Sequence, residues 1–229
     1  MVQGTATAWS GTAWETLTAL VETDGTAAHP FARRLRAGGP RRAVAEAGGV
    51  DQRELCDAAH ALCAIHGTHP GMADEALGRM GRGLASAWSE EVAAAFGRER
   101  QLLARVVSAA GPLPSTPGQA ATDAAFAAQR HAFQMLARSD RAGVAAGAVA
   151  ALALDWAAIR GVLARAADGG GLTPPPLTLP APEETAVVVA TVAEGPAAER
   201  ALLFGARALL EQHRAFWTVL EARAAAREG

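Results

Sequence analysis

The sequence predicts an all-α fold, and three observations support this prediction. Long apolar stripes recur at the i, i+3, i+4, i+7 spacing of a buried helix face. Half of the residues are hydrophobic, and alanine is the commonest of them. The one β-branched run, at residues 185–192, has no second strand with which to pair. We therefore predict a single all-helical domain over residues 1–229, with four long helices around a core.

Glycine and proline mark the limits of the predicted helices. Gly67 and Pro70 end the fourth helix, and a loop at 111–118 separates two long ones. Glycine and proline runs begin an irregular loop at about 169–182, and a helical turn is the preferred interpretation of 185–192. The predicted helices cover residues 8–23, 29–37, 40–47, 51–66, 73–109, 119–138, 141–167 and 196–227.

The composition excludes several classes of partner. A formal net charge of −2 gives no electrostatic basis for binding nucleic acid or an acidic membrane. Arginine supplies all the basic charge, as in proteins from GC-rich bacterial genomes, and the arginines at 33–42 fit a solvated helix edge better than a phosphate site. No secretory signal is evident, and the apolar run 142–154 is short for a membrane span. We expect a cytoplasmic protein with a small-molecule ligand, and a homodimer is left open.

Three ionisable residues lie at the centres of the longest apolar stripes: Glu99, Asp155 and His213. The stripes run from Trp88 to Val106, from Val144 to Val162 and from Leu202 to Leu220. An unpaired charge removed from water costs several kcal/mol, so such positions are seldom accidental. We predict that the three helices converge on a shared polar pocket and that these residues are its catalytic candidates. Burial would suit Glu99 or Asp155 as a general base, with His213 as proton donor or orienting group.

The same reasoning predicts the residues that line the pocket. Gln129 shares a stripe with Phe126, so both should face inward, and His66 lies on the apolar face of its helix. Trp156 and Trp217 adjoin the stripes of Asp155 and His213. For Gln129, a satisfied core amide is the competing interpretation. We predict these five residues as ligand-binding.

A metal site is not predicted. Cys56, His60 and Cys63 share one helix face, which suggests zinc, but core packing explains an apolar face with two cysteines better. Both thiols are expected to be buried and reduced, as in a cytosol. The Glu-x-x-His pairs of ferritin-type iron bundles do not occur. The cofactor is left open.

The order of several motifs resembles thiaminase-II (TenA-type) proteins along nearly the whole chain. Trp14 is followed by His29-Pro30-Phe31, then Leu35 and Gly38; later come the segment 151–159 and Phe216-Trp217. The stretch from Ser139 to Gly147 also resembles the distal-helix glycines of heme oxygenases. The resemblance implies the heme-oxygenase-like helical fold that these families share.

This sequence departs from the family at its functional positions. Leu154 stands where the nucleophilic cysteine would fall, the chain has no tyrosine for the pocket, and His213 replaces a glutamate. Thiamine hydrolysis is therefore not expected. The leading hypothesis is a protein that binds a small organic molecule, with its transformation left open. One alternative is an iron-dependent oxidase in which Glu99, Asp155 and His213, with His60 or His66, are the ligands. Another is a non-catalytic interaction or scaffold protein whose buried polar groups pair only with arginine.

Overall fold

The computed structural model describes residues 6–37, 52–81 and 83–227, with side chains from residue 13 onward. Every regular element within these ranges is helical, which confirms the all-α prediction. A 3₁₀ turn, Leu77–Arg79, follows the fourth helix. The helices are α1 (Ala6–Asp24), α2 (Pro30–Ala37), α3 (Gln52–His66), α4 (Met72–Ala76), α5 (Leu84–Ala110), α6 (Gln119–Ala137), α7 (Val144–Gly169), α8 (Pro182–Val192) and α9 (Pro196–Ala225).

The predicted helix at 73–109 is wrong as a single element. It is divided into α4, the 3₁₀ turn and α5, with a break at the glycines that precede α5. Gly81 and Gly83 have φ angles of 75° and 76°, a region that other residues rarely adopt. The helix predicted at 40–47 lies outside the described residues.

Residues 185–192 belong to α8, in agreement with the helical interpretation of this β-branched run. Pro182 is the first helical residue, where its missing N–H would have no intrahelical partner. The Glu184 carboxylate accepts a hydrogen bond of 2.8 Å from the Ala181 N–H, and Thr185 accepts one of 3.2 Å from the Trp88 indole. Local capping and this contact with α5 outweigh the strand propensity of the valines.

Helix α7 lies at the centre of the core and contacts every other α-helix in the described ranges. Its closest partner is α9. A Cβ added at Gly147 would overlap the backbone carbonyl of Leu202, and one added at Gly205 would overlap that of Val144. The missing side chains thus allow the two backbones to touch. Further along both helices Asp155 of α7 contacts His213 of α9, so the two helices run in broadly the same direction.

Helix α6 crosses α9 in the opposite direction and runs alongside α3. Gln119 contacts Arg223 near one end of α6, while Phe133 contacts His213 further along. The Phe133 ring also stacks on His66 at the end of α3. We call the line on the surface where α3, α6 and α9 meet the seam.

Candidate functional site

The Asp155 carboxylate receives three hydrogen bonds inside the core. His213 donates from Nδ1 to Oδ2 over 2.7 Å, because a carboxylate can only accept. The backbone N–H and the hydroxyl of Thr26 donate to Oδ1 and Oδ2, each over 2.7 Å. Trp217 in turn donates its indole N–H to the Thr26 oxygen over 2.9 Å. Helices α7 and α9 and the turn between α1 and α2 therefore share one buried polar network.

The turn after α1 is shaped to reach this carboxylate. Gly25 precedes Thr26, and a Cβ at Gly25 would lie 2.7 Å from Oδ1 of Asp155. Thr26 is fully buried. Thr26 was not identified from the sequence, where the glycine-threonine pair at the end of α1 is its only local signal.

Glu99 lies in a second network. Its carboxylate accepts a hydrogen bond of 2.9 Å from the indole of Trp156 and pairs with Arg160. Arg160 also donates to the Pro175 carbonyl, which ties the irregular segment after α7 to the core. The structure thus brings Asp155 and His213 together and gives Glu99 a different partner. Asp155 and Trp156 are adjacent on α7, so their side chains leave the helix about 100° apart.

Arg160 was not identified from the sequence. It lies one turn after Trp156, so the Trp-x-x-x-Arg spacing places both donors on the same face of α7. That spacing could have indicated a shared acceptor, although not which one.

Aromatic rings join the two networks. The His66 ring lies 5.1 Å from the Trp156 ring and 5.4 Å from the His213 ring, edge to face in both cases. It also stacks on Phe133 at 5.2 Å. Burial, and secondarily the neighbouring His213, hold the pKa of His66 well below its usual value near 6.5. His66 is therefore a neutral imidazole between two networks that each contain a carboxylate.

Two buried polar atoms next to this ring cluster have no hydrogen-bond partner within the described residues: Nε2 of His213 and Oε1 of Gln129. Phe126 packs on Phe216 and Phe133 on His213, each with ring centres 5.5 Å apart. Gln129 lies between those two positions on α6 and is only 6% exposed. The register of α6 against α9 therefore places Gln129 alongside the turn of α9 that carries His213.

Two depressions lie along α6, one in the seam at Phe126 and one between α3, α4 and α6 at Phe133, with Gln129 between these two positions in sequence. The larger, about 180 Å³, includes Phe126 of α6 and Leu220 of α9. The smaller, about 20 Å³, includes His66 and Phe133 and has room for about one water molecule. Of the five predicted ligand-binding residues, Phe126 and His66 line these depressions. Trp156 and Trp217 are fully buried and hydrogen-bonded within the two networks.

The helix face with the cysteines is used for packing and hydrogen bonds. The Cys56 thiol lies 3.6 Å from the Ala110 carbonyl, and the His60 ring lies 2.8 Å from that of Gly111. Cys63 is half-buried, contrary to the prediction, because it lies at the edge of the buried face of α3. Burial raises the pKa of both thiols. In the part of the chain that the structure describes, no group of three or more potential ligands is arranged to hold a metal.

Helix α7 is long and apolar enough to cross a membrane by length and composition, although the apolar run 142–154 alone is short for a span. However, 78% of its most apolar window is buried within the protein. Packing at the centre of a helical core accounts for this composition.

These features define an all-α protein with two carboxylate-centred networks in its core. The chain belongs to a family of unknown function, DUF6975, whose family model matches residues 21–228. No curated protein and no solved structure matches the chain.

Proposed function

We propose that this protein binds a small organic molecule in the seam and that the Asp155–His213 pair transfers a proton to or from it. The observation that carries the proposal is that Nε2 of His213 has no hydrogen-bond partner among the described residues. Buried polar atoms nearly always have a partner, and an exception requires a reason such as a ligand or a catalytic role. Nε2 of His213 is one of several such exceptions among the described residues, and it belongs to the imidazole that Asp155 holds in place.

The geometry suits His213 as the group that moves the proton. With Nδ1–H donated to Asp155, Nε2 carries the lone pair and can accept a proton from a bound molecule. Asp155 fixes the tautomer and would stabilise the imidazolium that forms. Glu99 is already engaged by Trp156 and Arg160, so its role in the proposal is to position Trp156.

The proposal includes the heme-oxygenase-like architecture and the relationship to TenA-type proteins. It does not include thiamine hydrolysis. Leu154 lines an apolar depression with Leu177 and Leu179, whereas the adjacent Asp155 faces α9. A nucleophile at position 154 would therefore not face the His213 site. We expect no turnover of thiamine or an aminopyrimidine by protein freed of contaminating enzymes.

Native mass spectrometry of the untagged protein would test the binding. We expect an organic mass that co-purifies with the wild type and is depleted in His213→Gln. The exposed His131→Gln is the matched control and should retain it. Equal retention by His213→Gln, with the fold intact by circular dichroism, would contradict the proposal.

Metal analysis of the same sample tests the iron-oxidase alternative. Stoichiometric iron that is lost in both Asp155→Asn and His213→Gln would favour the oxidase. A protein with neither metal nor organic ligand would favour the scaffold alternative. We also propose a cytoplasmic location, which suits two unpaired thiols.

A further inference from the structure

The larger depression, which lies in the seam, is lined by both apolar and polar residues. Phe126, Leu220 and Ala64 supply apolar surface, while Asp57, Asp123 and other polar residues lie around it. Its volume of about 180 Å³ is below the roughly 300–1,000 Å³ of pockets for drug-sized ligands. It therefore suits a molecule with a single small ring or a short aliphatic body.

The cationic group at this depression, the Arg223 guanidinium, already has hydrogen-bond partners within the protein. Arg223 is 4% exposed, and its Nε lies 3.0 Å from the Asp57 carboxylate. Its Nη1 donates to Gln119 over 2.5 Å and its Nη2 to the Pro114 carbonyl over 2.7 Å. An incoming anion would find these donors engaged, so Arg223 does not make the depression an anion site.

The polar groups at this depression that still have hydrogen-bonding capacity are mostly acceptors. Asp123 is exposed and accepts one bond of 2.7 Å from the Gln119 amide, and no ion pair reaches it from the described residues. His60 uses Nε2 towards the Gly111 carbonyl, so a neutral ring has its other nitrogen as an acceptor. Asp57, by contrast, is neutralised by Arg223 and Arg227. Only Asp123 therefore offers an uncompensated charge at the rim.

We propose that this depression binds a small organic ammonium ion. Its apolar body packs on Phe126 and Leu220, and its nitrogen donates to Asp123. This inference goes beyond the proposed function, because the depression lies in the same seam but does not include His213. Opposite charge at the rim and apolar surface below it are complementary to such an amphipathic cation.

Three probes of similar size would test the inference on the full chain: 2-phenylethylamine, 2-phenylethanol and phenylacetate. Protein-observed NMR titrations would give the affinities at low salt. We expect the amine to bind about fivefold more tightly than the alcohol, in keeping with a partly exposed ion pair, and phenylacetate not to bind. Equal affinities for the three probes would overturn the proposal.

Two variants locate the site. Asp123→Asn should lower the affinity for the amine about fivefold and leave that for the alcohol unchanged. The exposed Asp168→Asn is the matched control, with no expected effect. Ala64→Phe should fill the depression from an exposed position and abolish binding without disturbing the core. Amine binding that survives Ala64→Phe, or an Asp123→Asn variant that behaves like Asp168→Asn, would place the amine elsewhere.

The two proposals can fail separately. His213→Gln should retain 2-phenylethylamine, because the depression does not include His213. Amine binding that depends on Asp123, together with equal ligand retention by wild type and His213→Gln, would uphold the ammonium site and reject the function proposed for His213.

Discussion

Asp155 and His213 are each nearly inaccessible, at 1% exposure. Each buried polar side chain therefore depends on the other as a hydrogen-bond partner. Replacing His213 with leucine removes one donor and leaves the carboxylate with Thr26 alone. Leaving a buried acceptor without one of its donors typically costs about 1–3 kcal/mol, and more when the acceptor is charged. We expect His213→Leu to lower the free energy of unfolding by about that amount, measured by urea denaturation.

A double-mutant cycle separates coupling from lost packing. Asp155→Asn in the His213→Leu background should recover part of the loss, with a coupling energy above about 1 kcal/mol. The exposed pair Arg79–Asp140 provides the control cycle, which should show less than about 1 kcal/mol. Independent effects of the two core substitutions would show that the pair is not coupled.

His66 predicts a pH dependence of stability. Its pKa is lowered in the folded state, so below pH about 6.5 the unfolded chain binds a proton that the folded protein does not. The free energy of unfolding should therefore fall as the pH falls through this range, by up to about 1.4 kcal/mol per pH unit. Above that range, His66 should contribute no pH dependence to the free energy of unfolding.

His66→Phe keeps an aromatic ring at this position but removes the titratable imidazole. The difference in unfolding free energy between wild type and His66→Phe, measured at several pH values from 8 to 5, isolates the contribution of His66. The wild type should lose stability relative to the variant only on the acid side. A constant difference across the range would contradict the burial argument.

Periodicity was sufficient to predict some of the polar residues that face the core, although Asp57, Arg160 and Arg223 were missed. Glu99, Asp155 and His213 each replace one apolar member of a helical repeat, and all three are buried. Their partners were beyond the sequence, because Thr26 meets Asp155 across 129 positions of chain and Arg160 resembles any exposed arginine. A stripe indicates the side of a helix that is buried, but not which neighbouring helix covers it.

Among the helices, long apolar repeats were predicted well and glycine-rich junctions poorly. The boundaries of α6 and α9 were within two residues of the prediction. The break between α4 and α5 was missed because the apolar spacing continues through it, while the backbone conformation of Gly81 and Gly83 decides it. Local conformational freedom outweighs a periodic pattern at such a point.

The contact of α7 with α9 predicts that the effect of a glycine-to-alanine substitution on stability depends strongly on its position. Gly147→Ala would drive a methyl group into the Leu202 carbonyl, which belongs to backbone and cannot rotate away. Overpacking of this kind costs about 1–3 kcal/mol, and more where the helices must separate. We expect the thermal midpoint of Gly147→Ala to fall by several degrees in a calorimetric scan.

Gly97→Ala is the matched control. It also lies within a long helix, but the nearest atom to its added Cβ is the tip of the Arg100 side chain at 3.7 Å. Alanine there should stabilise the helix by about 0.5–1 kcal/mol. Equal effects of the two substitutions would mean that the helix contact is not as close as described.

Because α7 contacts all the other α-helices described, secondary structure and core packing should be lost together. Trp156 and Trp217 are fully buried on α7 and α9 and report on that packing. In urea, the transitions followed by tryptophan fluorescence and by far-ultraviolet circular dichroism should coincide. Separate midpoints would indicate that part of the chain unfolds independently, contrary to the predicted single domain.

The side-chain-free contact between α7 and α9 also has a mechanical consequence. Gly147 and Gly205 each lie about two helical turns before Asp155 and His213, respectively. Two backbones that already touch cannot approach further, so relative motion of these helices is a rotation about that point, as about a fulcrum. The hydrogen bond between Asp155 and His213 lies about two turns away from that point and therefore resists such a rotation. Loss of that bond would remove one restraint on the rotation, while the glycine contact stayed in place.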